Sequence, residues 1–157
     1  MKGKIKSFVI STVIALAVGG VSALISSGGV DIFGEVLTPP LTPPGWLFPI
    51  VWSILFVLMG IGAALVYTEE SVPLTDRLSA LAPYAASLFF NFFWSIIFFN
   101  FRAFLFAFIW LLLLLFFIIK TILAYRPISP LAAYLQIPYL LWVAFAGYLN
   151  FGIFYLN

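Results

Sequence analysis

Trp52, Asn91, Trp94, Trp142 and Asn150 are the side chains whose types and spacing suggest chemistry in this sequence. Asn91 and Trp94 are three residues apart and so share one helical face. Trp142, Ala146 and Asn150 repeat at four-residue steps along another. Trp52 follows Trp46 at the head of a third apolar run. Indole rings gathered in an uncharged setting suit a large, flat, apolar molecule held by stacking and shape.

What is missing narrows the chemistry further. The 157 residues include no cysteine and no histidine. That removes disulfides, thiolate catalysis, haem ligation by imidazole or thiolate, and the usual zinc and iron sites. No metal and no resident cofactor is expected, and a metal-free tetrapyrrole fits better than a metalloporphyrin. The net charge of +2 is too small to suggest nucleic acid. Every acidic residue is expected in a loop, so ion-coupled transport has no obvious carrier.

The elements that must position these residues are membrane helices. The chain is 65% hydrophobic and 20% aromatic but only 8% charged, against about 25% charged in soluble domains. Five apolar runs are long enough to cross a bilayer as helices: about 5–26, 46–67, 78–99, 103–125 and 130–155. The first resembles a signal peptide, but it is longer than an ordinary apolar core and lacks an A-x-A cleavage site, so it reads as a retained helix. The fold class expected is all-α, a five-helix transmembrane bundle over the whole chain, with no internal repeat. The "NFR" link makes the third and fourth spans an antiparallel hairpin.

Six of the seven basic residues, Lys2, Lys4, Lys6, Arg77, Lys120 and Arg126, share one side, and Arg102 lies on the other. The bias places the N-terminus in the cytoplasm and the first loop and C-terminus outside, as in a bacterial-type cell membrane. Lys120 lies within the fourth span, where its stem can snorkel.

Helical rise converts sequence distance to depth. Trp52 falls about 9 Å below the loop end of its helix at 1.5 Å per residue. Asn91, Trp94, Trp110, the Trp142–Asn150 face and Gly19, Gly20 and Ser22 fall in the same half. Features from all five helices thus share one depth band beneath the long first loop. In "PPLTPPGWLFPIVW" (39–52), Pro39, Pro40, Pro43 and Pro44 have fixed φ and no N–H, which makes a stiff loop that reads as a lid. Pro49 falls in the first turn of the next helix, where a missing N–H costs little. Trp46 and Trp52 would form the rim and wall of one pocket.

Three segments resemble the TspO/MBR family, the translocator or tryptophan-rich sensory proteins. They are "PPGWLFPIVWSILFVLMG" (43–60), "NFFWSIIFF" (91–99) and "SPLAAYLQIPYLLWVAFAGYLN" (129–150). The resemblance implies a five-helix bundle that binds porphyrins, and in some members sterols, in a pocket closed by the first loop. It carries pocket positions onto Trp46, Trp52, Asn91, Trp142 and Ala146, with Trp94 beside them. Phe56 stands where the family has tyrosine, and Ile32 and Phe33 replace a Trp–Tyr pair in the first loop. The C-terminal "NFGIFYLN" lacks the basic residue of the proposed sterol motif.

The leading expectation is a membrane receptor or sensor for a protoporphyrin-type tetrapyrrole. Light- and oxygen-dependent porphyrin degradation, with Trp52 and Trp142 as participants, is the alternative. Porphyrin transport ranks last, because no inverted repeat or broken-helix pair is evident. A homodimer is compatible with the small-residue and aromatic helix faces, and membrane lipid is a partner in any case.

Overall fold

A computed structural model describes residues 1–29 and 31–157. The described residues form an all-helical chain with five segments long and apolar enough to cross a membrane. The helices are α1 (Lys2–Ser26), the short α2 (Ile32–Glu35), α3 (Leu47–Tyr67), α4 (Leu74–Ser95), α5 (Phe104–Tyr125), α6 (Pro130–Leu135) and α7 (Ile137–Leu156). This is an integral, multi-pass membrane protein.

Three boundaries differ from the sequence reading. The third span starts earlier, at Leu74 behind Pro73, so Asp76 lies in the first turn of α4 rather than in a loop. A carboxylate there meets the positive end of the helix dipole. The same span runs on through a π-helical turn, Ile96–Asn100. The fifth span, expected as one helix, is broken into α6 and α7 at Gln136, where Pro138 cannot donate to the preceding turn.

The helices close a ring. α1 packs on α3 and α4, α4 packs along α5, α5 packs on α6 and α7, and α6 returns to α3. Lipid offers no hydrophobic drive for this, so small residues and interhelical hydrogen bonds must carry it. On α1 the buried residues are Ala15, Ser22 and Ser26. Ser22 Oγ donates to the Phe92 carbonyl at 2.8 Å, and Ser11 Oγ donates to the Gly60 carbonyl at 2.7 Å. A Cβ on Gly60 would lie 2.5 Å from the Thr12 Cα, so only glycine lets α1 and α3 approach this closely.

The first loop crosses the end of the bundle opposite the N-terminus, here the loop end. It is tied to α7 by side chains. Asn157 accepts from the Leu37 N–H at 2.9 Å and donates to the Leu37 carbonyl at 2.8 Å. Tyr148 donates its hydroxyl to the Pro40 carbonyl at 2.8 Å. Leu41 takes φ 69°, a left-handed turn, beside a Thr42 hydroxyl that donates to the Pro39 carbonyl at 2.6 Å. At the other end, the α3–α4 link is organised by Ser71, whose hydroxyl and N–H hydrogen-bond Glu69 and hold its carboxyl below the usual value.

Candidate functional site

A cavity of about 180 Å³ lies at the loop end between α1, α3, α4 and α7. From α3 it receives Phe48, Pro49, Trp52 and Phe56. The Trp52 ring stacks 5.7 Å from Phe56 and meets Tyr139 edge-on at 6.3 Å. Gly19 of α1 faces the same ring: a Cβ there would lie 2.2 Å from Phe56 Cε2. A glycine in α1 therefore makes room for an aromatic ring in α3.

From α4 come Asn91 and Trp94, both buried. Asn91 donates to the Tyr139 hydroxyl at 2.9 Å, and Trp94 Nε1 donates to Asn150 Oδ1 at 3.1 Å. The π turn brings the consecutive residues Phe98 and Phe99 to the same wall. An inserted residue of this kind rotates the side chains beyond it and often marks a functional site. From α7 come Ala146, Leu149, Asn150 and Ile153.

The lid side is made by Phe33 of α2, Gly45 and Phe48. Phe33 stacks on Phe48 at 5.2 Å with the rings within 9° of parallel. The four prolines read as the lid, Pro39, Pro40, Pro43 and Pro44, are outside the cavity wall. They form the strap that holds the lid, with Pro39 packed against Gly152 of α7.

Five expected side chains, Trp52, Phe56, Asn91, Trp94 and Ala146, come together in this wall. Trp46 does not. It is 67% exposed and lies just before α3. Six residues at 100° each put it about 120° round the helix from Trp52, so rim and wall are different faces. Trp142 also lies outside. Its indole leans into a crevice between α3 and α7, beside Val51, Leu55 and Pro138. Phe48 stands between it and the cavity, edge-on to Trp142 at 5.8 Å. Trp142 shares a helix face with Ala146, but the face alone does not say which way the indole leans.

The expectation that all five spans contribute is also corrected, since no α5 residue lines the cavity. Trp110 of α5 instead donates to the Phe90 carbonyl at 2.8 Å and packs on that ring at 4.7 Å.

Sequence reasoning passed over Ser26, Phe48, Phe98 and Phe99. The π turn has no sequence signal of its own, and phenylalanine is too common here to stand out. Ser26 is the most informative of them chemically. It lines the cavity, is 2% exposed, and among the described residues its hydroxyl has no hydrogen-bond partner. Among the described residues the wall contains no charged side chain, and beside the indole N–H groups of Trp52 and Trp94 its polar side chains are Ser22, Ser26, Ser95, Asn91 and Asn150. Among the described residues no cluster of acidic, histidine or cysteine side chains could hold a metal. Such a site can enclose an apolar ring system and offer it a few neutral hydrogen bonds.

The model of the TspO/MBR family matches residues 10–156. Tryptophan-rich protein TspO of Chlorobaculum tepidum is 35% identical over 80% of this chain and 78% of its own length. Protein CrtK of Rhodobacter capsulatus is 31% identical over 92% of this chain and 89% of its own. The translocator protein of Ovis aries is 35% identical over 76% and 70%.

Proposed function

This chain belongs to the TspO/MBR family, and from that premise we propose that it is a membrane receptor for flat, apolar, metal-free tetrapyrroles. The cavity beneath Phe33 and Phe48 is the site. The observation that supports this most directly is its wall: Trp52, Phe56, Trp94, Phe98 and Phe99 around an uncharged interior. Asn91 Nδ2 is committed to Tyr139, and both ends of the Asn150 amide to Trp94 and the Phe104 carbonyl. The Ser26 hydroxyl, unpaired among the described residues, can orient a ligand together with Asn91 Oδ1.

At about 180 Å³ the cavity is smaller than the usual 300–1,000 Å³ of sites for drug-sized ligands. A tetrapyrrole therefore enters only when the Phe33–Phe48 pair lifts. We further infer that the N-terminus is cytoplasmic and that the lid opens on the outer side, from the six-to-one distribution of basic residues.

Dark titration with protoporphyrin IX tests the reading. Saturable quenching of tryptophan fluorescence is expected, and Trp52→Phe combined with Trp94→Phe should weaken binding at least ten-fold. Unsaturable quenching, or unchanged affinity in the double variant, would remove this site assignment.

Photo-oxidative degradation is a second reading, favoured by Trp52, an electron-rich indole in the cavity wall. Illumination should then yield a defined product faster than in protein-free micelles. Trp142, behind Phe48, would contribute little.

A further inference from the structure

We propose that the crevice between α4 and α5, near the N-terminal end of the bundle, seats an anionic glycerophospholipid, with Lys120 binding its phosphate. The crevice measures about 540 Å³ and is lined by Ser79, Ala82, Pro83, Phe117, Lys120 and Ala124. It is remote from the aromatic cavity, at the opposite end of the bundle.

Lys120 needs a partner. It lies about 7–8 Å in from the end of α5 at 1.5 Å per residue, a depth at which a cation is costly and commonly paired. Among the described residues the only ion pair is Glu35–Arg102, at the loop end, so no carboxylate neutralises Lys120. Its nearest compensation is the Phe116 ring, 5.9 Å from Nζ to centroid. The side chain is exposed on the lipid face, and its length lets the ammonium swing towards the headgroups.

The opposite wall supplies a complementary group at matching depth. Ser79 lies as far into α4 from Leu74 as Lys120 lies into α5 from Tyr125. Pro83, inside α4, brings no N–H to the Ser79 carbonyl four residues back. That carbonyl can accept from a headgroup hydroxyl while Lys120 binds the phosphate. Towards mid-membrane the crevice becomes apolar, with Ala82, Pro83 and Phe117, a surface for one acyl chain. Charge chooses the occupant: an anionic lipid satisfies Lys120, and basic recesses between transmembrane helices bind such headgroups.

The test uses the purified full chain and native mass spectrometry with phosphatidylglycerol or phosphatidylcholine added. One basic residue near the surface is worth about a five-fold preference, so phosphatidylglycerol should be retained about five-fold better. Lys120→Gln should abolish the preference, Lys120→Arg should keep it, and Arg126→Gln, outside the crevice, should leave it unchanged. A preference that survives Lys120→Gln would overturn the proposal. So would displacement of the lipid by millimolar inorganic phosphate, which would indicate a simple anion site. Cross-linking through Ala82→Cys, in a chain otherwise free of cysteine, would point to a second copy in the crevice and would also overturn it.

Discussion

Trp94 and Asn150 are joined across the bundle, indole N–H to amide oxygen, at 3.1 Å. The same amide donates through Nδ2 to the Phe104 carbonyl at 2.8 Å. One asparagine of the cavity wall thus ties α4, α5 and α7 together, and Asn150 is fully buried. Two residues that the sequence places in the pocket's depth band thus also hold the site's shape. Hydrogen bonds between membrane helices average about 0.6 kcal/mol and reach about 1.7 kcal/mol.

Replacing Asn150 by leucine removes both bonds and leaves the Trp94 N–H unpaired. A loss of about 1–3 kcal/mol is expected, read as a lower thermal midpoint in detergent. Trp94→Phe should cost less, because Asn150 keeps Phe104. The double variant should cost well under the sum of the two, since residues in contact are not additive. Additive losses would mean the pair is not coupled.

Gly60 and Gly20 make a matched contrast. A Cβ at Gly60 meets the Thr12 backbone at 2.5 Å, whereas Gly20 has nothing within 4 Å. Gly60→Ala should destabilise by about 1–3 kcal/mol through overpacking of α1 on α3. Gly20→Ala should be neutral, or stabilising by about 0.5–1 kcal/mol as a helix-interior glycine is removed. Equal midpoints for the two variants would show that the close approach at Gly60 is not needed.

These contacts show where sequence reading succeeds. Spans are legible because lipid requires long apolar helices, and the depth band holding Trp52, Asn91 and Trp94 follows from helical rise alone. Direction of lean is not legible. Trp142 shares the Ala146 face yet turns into the α3–α7 crevice, and Phe48 takes its place. The helix break at Gln136 was signalled by Pro138, but a proline within an apolar run reads equally well as a tolerated kink. In sequence the four prolines mark the lid, although its contact with the cavity is made by Phe33 and Phe48.

The strap gives a kinetic prediction. Asn157 and Tyr148 hold Leu37 and Pro40 by three hydrogen bonds, while the Glu35–Arg102 pair at 2.7 Å is half exposed on both sides. Exposed ion pairs contribute about 0–1 kcal/mol. Asn157→Ala with Tyr148→Phe should therefore speed both association and release of protoporphyrin several-fold, with little change in affinity. Arg102→Gln should change either rate by less than about five-fold, the limit set by 1 kcal/mol. Stopped-flow tryptophan quenching in the dark measures both. A larger effect from Arg102→Gln would place the latch at the ion pair instead.

Ser26 separates a cavity adapted to a ligand from one that is only loosely packed. Its hydroxyl is buried in the wall without a partner among the described residues, and an unsatisfied buried hydroxyl costs about 1–3 kcal/mol. Ser26→Ala removes that cost from the ligand-free protein, so the thermal midpoint should rise. If the hydroxyl serves to orient a ligand that can accept a hydrogen bond, the same change should weaken protoporphyrin binding by about ten-fold, equivalent to about 1.4 kcal/mol. Ser26→Thr, which keeps the hydroxyl, should retain more of the affinity than alanine does. A variant that gains stability and binds as tightly as the parent would make Ser26 a packing defect and leave the aromatic rings alone to hold the ligand.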